Sequence, residues 1–258
     1  MPKFAANLTM LFTEVPFLER FALAAQAGFT HVEYLFPYPF KAEGLKAELD
    51  KHGLTQVLFN LPSGDWAAGE RGIAALPGRS DEFRAGVPQA IEYAKVLGVN
   101  RVNCLVGKRS ANHSDEAHRQ TLIENVRFAA TELAMHSIEL VIEPINHYDI
   151  PGFFINRTEQ AIQLIDEVGH PNVRVQFDIY HVQREEGEIT GALRKYKDRI
   201  GHIQIADNPG RHQPGTGEIH FPFLFREIDA SGYAGWIGLE YIPTPDTSTS
   251  LSWMKELV

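Results

Sequence analysis

The chain has 258 residues, 44% apolar and 22% charged, with a single cysteine, Cys104. That length supports a sizeable core without disulfides or structural metals, and one cysteine excludes an intrachain disulfide and a cysteine-rich zinc site. The 24 Lys+Arg against 33 Asp+Glu give a formal charge of -9, which argues against a broadly basic nucleic-acid or anionic-membrane surface.

The opening MPKFAANLTMLFTEVPF carries an early Glu14 and a broken apolar stretch, unlike a signal peptide. No run approaches the roughly 20 apolar residues of a membrane span, so a cytoplasmic protein is expected. Candidate strands then follow in order: Phe4–Leu8, His31–Phe36, Gln56–Asn60, Arg101–Val106, Glu139–Glu143, Val173–Asp178, His202–Ala206 and Trp236–Tyr241. Helical spacing fills the intervals. Thr13–Ala27 places Val15, Leu18, Phe21 and Ala22 on one face and stops at Gly28. Ser80–Leu97 starts with a capping candidate, Ser80, and acidic first-turn residues, and ends at Gly98. Ser114–His136 and Thr158–Val168 are further helices, and the end of the chain predicts a helix with Leu251, Trp253 and Met254 against the body.

Eight strands alternating with seven or eight helices predict parallel βαβ units and, at this length, an α/β fold: a single-domain (β/α)8 TIM barrel over residues 1–258. An open doubly wound sheet is the alternative for such a pattern. Leu61–Arg79 is a Gly- and Pro-rich stretch carrying Asp65, Trp66, Glu70 and Arg71, and it follows the third strand toward the catalytic end of a barrel.

Polar residues terminate the apolar strands. IELVIEP ends in Glu143, VRVQFD in Asp178 and GWIGLE in Glu240, while GHIQIAD carries Gln204. Side chains two apart share a strand face, so Gln176 pairs with Asp178, His202 with Gln204, and Gly238 with Glu240; the opposite faces are apolar. In a barrel these four site residues converge at one mouth. Three carboxylates and an amide in a partly buried space call for a counter-charge, and oxygen ligands suit Mg²⁺ or Mn²⁺. Any one polar strand end can instead cap a helix or pair with an arginine.

His181, three residues past Asp178, and His147, four past Glu143, are candidates for a substrate oxygen or an extra ligand, or are structural histidines. Arg211 suits bidentate capture of an anionic substrate, with Lys108 and Arg71 as further candidates that otherwise read as solvated loop charges. Glu33 and Asn60 also end strands at the mouth, Asn60 as a substrate contact and Glu33 as a support for other site residues. Walker, Rossmann, HExxH and G-x-S-x-G patterns are absent, so no nucleotide cofactor is expected.

These residues carry a resemblance. Together with FAANLTMLFTEVPFLERF, GDWAAGERGIAALPGR, IEPINHYDIPGFF, QFDIYHVQ and GHIQIADNPGRHQPGTGEI, they make the sequence similar to the hydroxypyruvate isomerase family of xylose isomerase-like barrels, which includes 2-oxo-tetronate isomerases. The resemblance implies Glu143 and Glu240 as the acid/base pair, and Glu143, Asp178, Gln204 and Glu240 as ligands of a divalent metal. Gln204 stands where the wider superfamily commonly has histidine, which leaves metal dependence open. The implied reaction converts hydroxypyruvate to tartronate semialdehyde through an enediolate. Alternatives are a 2-oxo-tetronate isomerase, a ketose 3-epimerase and, from a different class, a metal-dependent nuclease or a non-catalytic sugar-acid binder. The implied partner is a small hydroxy-oxo acid rather than nucleic acid or membrane, and homo-oligomerisation is left open.

Overall fold

The computed structural model describes residues 2–257. Nine parallel strands form one sheet in the order β3-β2-β1-β9-β8-β7-β6-β5-β4. They are β1 (Phe4–Asn7), β2 (His31–Glu33), β3 (Thr55–Gln56), β4 (Phe59–Asn60), β5 (Arg101–Cys104), β6 (Glu139–Ile142), β7 (Val173–Asp178), β8 (Ile200–Ile205) and β9 (Ile237–Leu239). The third expected strand is split: β3 pairs with β2 and β4 with β5, and Val57 and Leu58 bridge them. Val57 N donates to Val32 O on the β2 side and Leu61 N to Asn103 O on the β5 side, and Asn60 N donates to Leu35 O, just past β2, at 2.9 Å, which joins the two sides of that break. With β1 paired to β9 the sheet curls round on itself, giving the eight-step TIM barrel that the alternation predicts.

The helices α1 (Arg20–Gln26), α2 (Ala42–His52), α3 (Ser80–Leu97), α4 (Asp115–Ala134), α5 (Thr158–Val168), α6 (Ile179–Glu185), α7 (Ile189–Tyr196) and α8 (Phe221–Ser231) wrap this sheet, followed by the short α9 (Thr247–Ser250) and α10 (Trp253–Glu256). The expected stops after α3 and α5 are Gly98 and Gly169, at φ +74° and +66°, a left-handed conformation that costs glycine little. Ser114 caps α4 through its side chain, accepting from Ala117 N. Ser80 makes no such bond and is instead the first helical residue.

The first helix is shorter than its spacing suggests. Pro16 itself is extended, with φ -54° and ψ 149°, and only a single 3-10 turn at Phe17–Glu19 precedes α1. Phe21 is buried as expected, but Leu18 is 40% exposed. Trp253 is buried against Phe4 and Phe225 with ring centroids 5.2 and 5.9 Å away. No helix of the described residues is long and apolar enough to cross a membrane.

The strand faces follow the expected parity. Val175, Phe177, Ile203, Ile205 and Leu239 join the apolar cluster that includes Leu164, Ile165 and Phe221 from the helices. Gln176, Asp178, His202 and Gln204 are buried polar residues of the opposite face. A register shift between Val175 and Gln176 sets Gln176 opposite His202 and Asp178 opposite Gln204.

Candidate active site

Two polar layers occupy the barrel interior. The inner layer centres on Glu33, at the end of β2. Its Oε1 accepts from Asn7 Nδ2 (3.0 Å) and Gln204 Nε2 (2.7 Å), and its Oε2 lies 2.7 Å from His202 Nε2. Gln204 Oε1 in turn accepts from Gln176 Nε2 at 2.5 Å. Gly238 makes room for this carboxylate, because a Cβ there would sit 2.3 Å from Glu33 Oε1. Gln204 therefore points inward as expected, with one amide end committed to Glu33 and the other shared with Gln176.

The outer layer lies where the strands end. Glu143, just past β6, accepts from Asn103 Nδ2 at 3.2 Å, and the same Asn103 amide reaches Asn60 Oδ1 at 3.2 Å. Asp178 ends β7 and caps α6, its Oδ1 accepting from Tyr180 N at 2.9 Å. Its Oδ2 faces His181 Nε2 at 3.5 Å and Arg211 Nη2 at 3.4 Å. His181 Nε2 is also 3.8 Å from Glu143 Oε1. Glu240, just past β9, lies 3.0 Å from Arg211 Nη2 through Oε2, an oxygen with no aligned hydrogen-bond donor among the described residues.

Arg211 reaches this cluster from a loop organised by Asp207. The Asp207 carboxylate accepts from the backbone N–H groups of Asn208, Gly215, Gly217 and Ile219. At its tip Arg211 takes φ +57°, uncommon for a residue other than glycine, and its Nε donates to Glu240 O at 3.3 Å. Asp178 thus has both of the plainer roles open to a polar strand end, a helix cap and an arginine partner, while remaining in the cluster.

Burial sets the electrostatics. Desolvation, reinforced by the charges of Glu240 and Asp178, holds the Glu143 carboxyl well above its usual range. Burial likewise pushes Glu240 up to about 8 and Asp178 up to about 6, with Arg211 opposing both. Burial, with Arg211 and Arg184 nearby, drives His181 well below its ordinary value, so its neutral form is favoured. Glu143, Asp178 and His181 each offer one ligand atom within 4.8 Å of the others, all buried. Excess buried carboxylate and an under-coordinated Glu240 oxygen make this set suitable for a cation.

The remaining expected residues lie in supporting positions. Lys108 Nζ donates to Gly69 O at 2.9 Å. Arg71 donates to Trp66 O and Glu70 O and stacks over Trp66 at 4.0 Å, so both cations brace the long loop after β4. His147 pairs with Glu185 at 2.6 Å and is half exposed. Asn103 and Asn7 escaped the sequence reading, although their parity within β5 and β1 pointed inward. Asn146, which contacts His181, and Asp149, which contacts Asn146, carry no spacing signal at all.

A family model described as xylose isomerase-like TIM barrel matches residues 21–257. The hydroxypyruvate isomerase of Escherichia coli is 55% identical over 254 residues, 98% of each chain. A 2-oxo-tetronate isomerase of Cupriavidus necator is 49% identical, covering 99% of this chain and 98% of the relative. A crystal structure described as an AP endonuclease, family 2, from Brucella melitensis is 47% identical and superposes with a TM-score of 0.97 over 99% of both chains. The chain belongs to the hydroxypyruvate isomerase family of xylose isomerase-like TIM barrels.

Proposed function

We propose that the protein is an isomerase that interconverts hydroxypyruvate and tartronate semialdehyde by proton transfer between Glu143 and Glu240. The carrying observation is the pair itself: two buried glutamates at the ends of β6 and β9, with β7 and β8 between them, both raised above the ordinary carboxyl range and sharing one cluster with Asp178, His181 and Arg211. A carboxyl poised near neutrality can act as base in one direction and acid in the other. In the forward direction one glutamate takes a proton from C3, leaving an enediolate. A proton then returns to C2, and the C3 hydroxyl proton is transferred to the C2 oxygen, so the product is an isomer with no redox partner.

Arg211 offers a fixed positive charge for the substrate carboxylate, and His181 and Asn60 are placed to bind its oxygens, with Lys108 and Arg71 acting through the loop at the mouth. Glu143, Asp178, Gln204 and Glu240 are the residues that would hold Mg²⁺ or Mn²⁺. When bound, that ion would supply positive charge favouring the enediolate over the ketone. The protein's acidic balance supports a small-molecule substrate over nucleic acid. The 2-oxo-tetronate isomerases among its relatives favour a second reading, the same chemistry on one more carbon.

Proton–deuterium exchange followed by NMR tests both. In D₂O with hydroxypyruvate, enzyme-dependent deuterium at C3 or at the new C2–H position, with aldehyde product, is expected. Faster labelling of a 2-oxo-tetronate would transfer the assignment to that substrate. Silence with both, with and without Mg²⁺ or Mn²⁺, would overturn the isomerase reading.

A further inference from the structure

His181 is surrounded by groups that discriminate between its two ring nitrogens. Its Nδ1 lies 2.6 Å from Asn146 Nδ2, and both residues are buried. The orientation of that amide is fixed by Asp149 on two sides. Asp149 N donates to Asn146 Oδ1 at 2.9 Å, and Asn146 Nδ2 donates to Asp149 Oδ2 at 3.1 Å. A flipped amide would set its oxygen against the Asp149 carboxylate and its NH₂ against the Asp149 N–H, losing both bonds. Asp149 is held in turn by Arg184, 2.9 Å from Oδ1, and by the Tyr180 hydroxyl at 3.3 Å.

An NH₂ group aimed at Nδ1 requires a lone pair there. We infer that Asn146 is a positioning residue that holds His181 as the Nε2–H tautomer, aiming a hydrogen-bond donor into the space between Glu143 and Asp178. In that tautomer Nε2 has no free lone pair. His181 then serves as a donor to a substrate oxygen, and the cation site is left to the carboxylates and Gln204. A histidine that ligates through Nε2 needs the reverse arrangement, with Nδ1–H donating to an acceptor. The chain Arg184–Asp149–Asn146–His181 therefore decides between a ligand and a donor at a position where distances to the carboxylates alone allow either.

The inference rests on the reading of this cluster as the active site, but its first test does not depend on activity. Long-range ¹H–¹⁵N correlation spectra of the metal-free protein report which ring nitrogen carries the proton, with the His181 signal assigned by its loss in His181→Gln. The expected wild-type pattern is a protonated Nε2 and an unprotonated Nδ1. An Nδ1–H tautomer or an imidazolium in the wild type at neutral pH would overturn the inference, whether or not any variant folds.

Asn146→Asp, which replaces the NH₂ by an acceptor, is expected to reverse the tautomer. It should also lower the deuterium-exchange rate by about 10-fold or more and tighten Mn²⁺ binding measured by electron paramagnetic resonance. An unchanged tautomer in a folded Asn146→Asp protein would likewise overturn it. A wild type with the expected tautomer but no exchange on either substrate would instead count against the isomerase reading alone.

Discussion

Glu33 and Glu240 are both glutamates buried inside one barrel, and they are held in opposite ways. Glu33 is saturated: two amides and a histidine satisfy its oxygens, and Gly238 leaves space for it. Glu240 has Arg211 beside it and an oxygen without an aligned donor among the described residues. A carboxylate with all its hydrogen bonds made is locked into structure. One left partly bare, in a low-dielectric space, has its proton affinity raised and stays available to a proton, a cation or a substrate. The same residue type is thus a fully hydrogen-bonded floor in one layer and an under-coordinated carboxyl in the next.

The largest expected effect separates the two layers by activity. Glu143→Gln and Glu240→Gln should each lower isomerase turnover at least about 10²-fold, while melting temperature holds or rises because a carboxyl that burial makes costly to ionise has gone. Near-wild-type rates in both variants would break the assignment. Glu33→Gln should do the reverse in stability, turning one accepting oxygen into a donor that faces other donors. A loss of about 3 kcal/mol is expected in denaturant unfolding, and Gly238→Ala should fail similarly through its clash with the same carboxylate.

The second effect is a pH dependence confined to the outer layer. Glu240 titrates near 8 in the folded chain and near 4.5 when unfolded, so between those values the folded state binds more protons. Stability in chelator should therefore fall as pH rises from about 5 to 8, and Glu143 and Asp178, shifted in the same direction, add to the slope. Differential scanning calorimetry of wild type and Glu240→Gln checks this: the slope should flatten in the variant. Saturating Mn²⁺ or Mg²⁺ should restore stability at the upper end, by about 2.7 kcal/mol at a hundredfold excess over Kd.

The smallest effect concerns the loop after β4. Arg71→Ala removes the stacking on Trp66 and two carbonyl contacts at a solvent-facing position, so a stability loss of no more than about 1 kcal/mol is expected. A larger loss of substrate affinity, read as a rise in KM, would show that Arg71 acts beyond bracing the loop.

Much of this molecule is legible along the chain because its causes are local or periodic. The alternation of Val175 and Phe177 with Gln176 and Asp178 sets which face turns inward, and Gly98 and Gly169 end helices wherever the chain goes next. Glu143, Asp178, Gln204 and Glu240 could be singled out because a parallel barrel brings every strand end to one mouth. Pro16 stands inside the helix that apolar spacing predicts over Thr13–Ala27, and the helix is shorter because it starts beyond that proline. What the chain could not declare were contacts between side chains remote in sequence. Arg211 meets Asp178 and Glu240 only because Asp207 folds its loop over the mouth. Gln204 owes its orientation to Glu33, 171 positions away. The tautomer of His181 depends on an amide held by Asp149, two hydrogen bonds with no periodicity to betray them. Periodicity and strand ends determine the barrel and its candidate acids; only the folded packing decides which way each amide, imidazole and guanidinium faces, because hydrogen-bond direction is a property of neighbours rather than of sequence spacing.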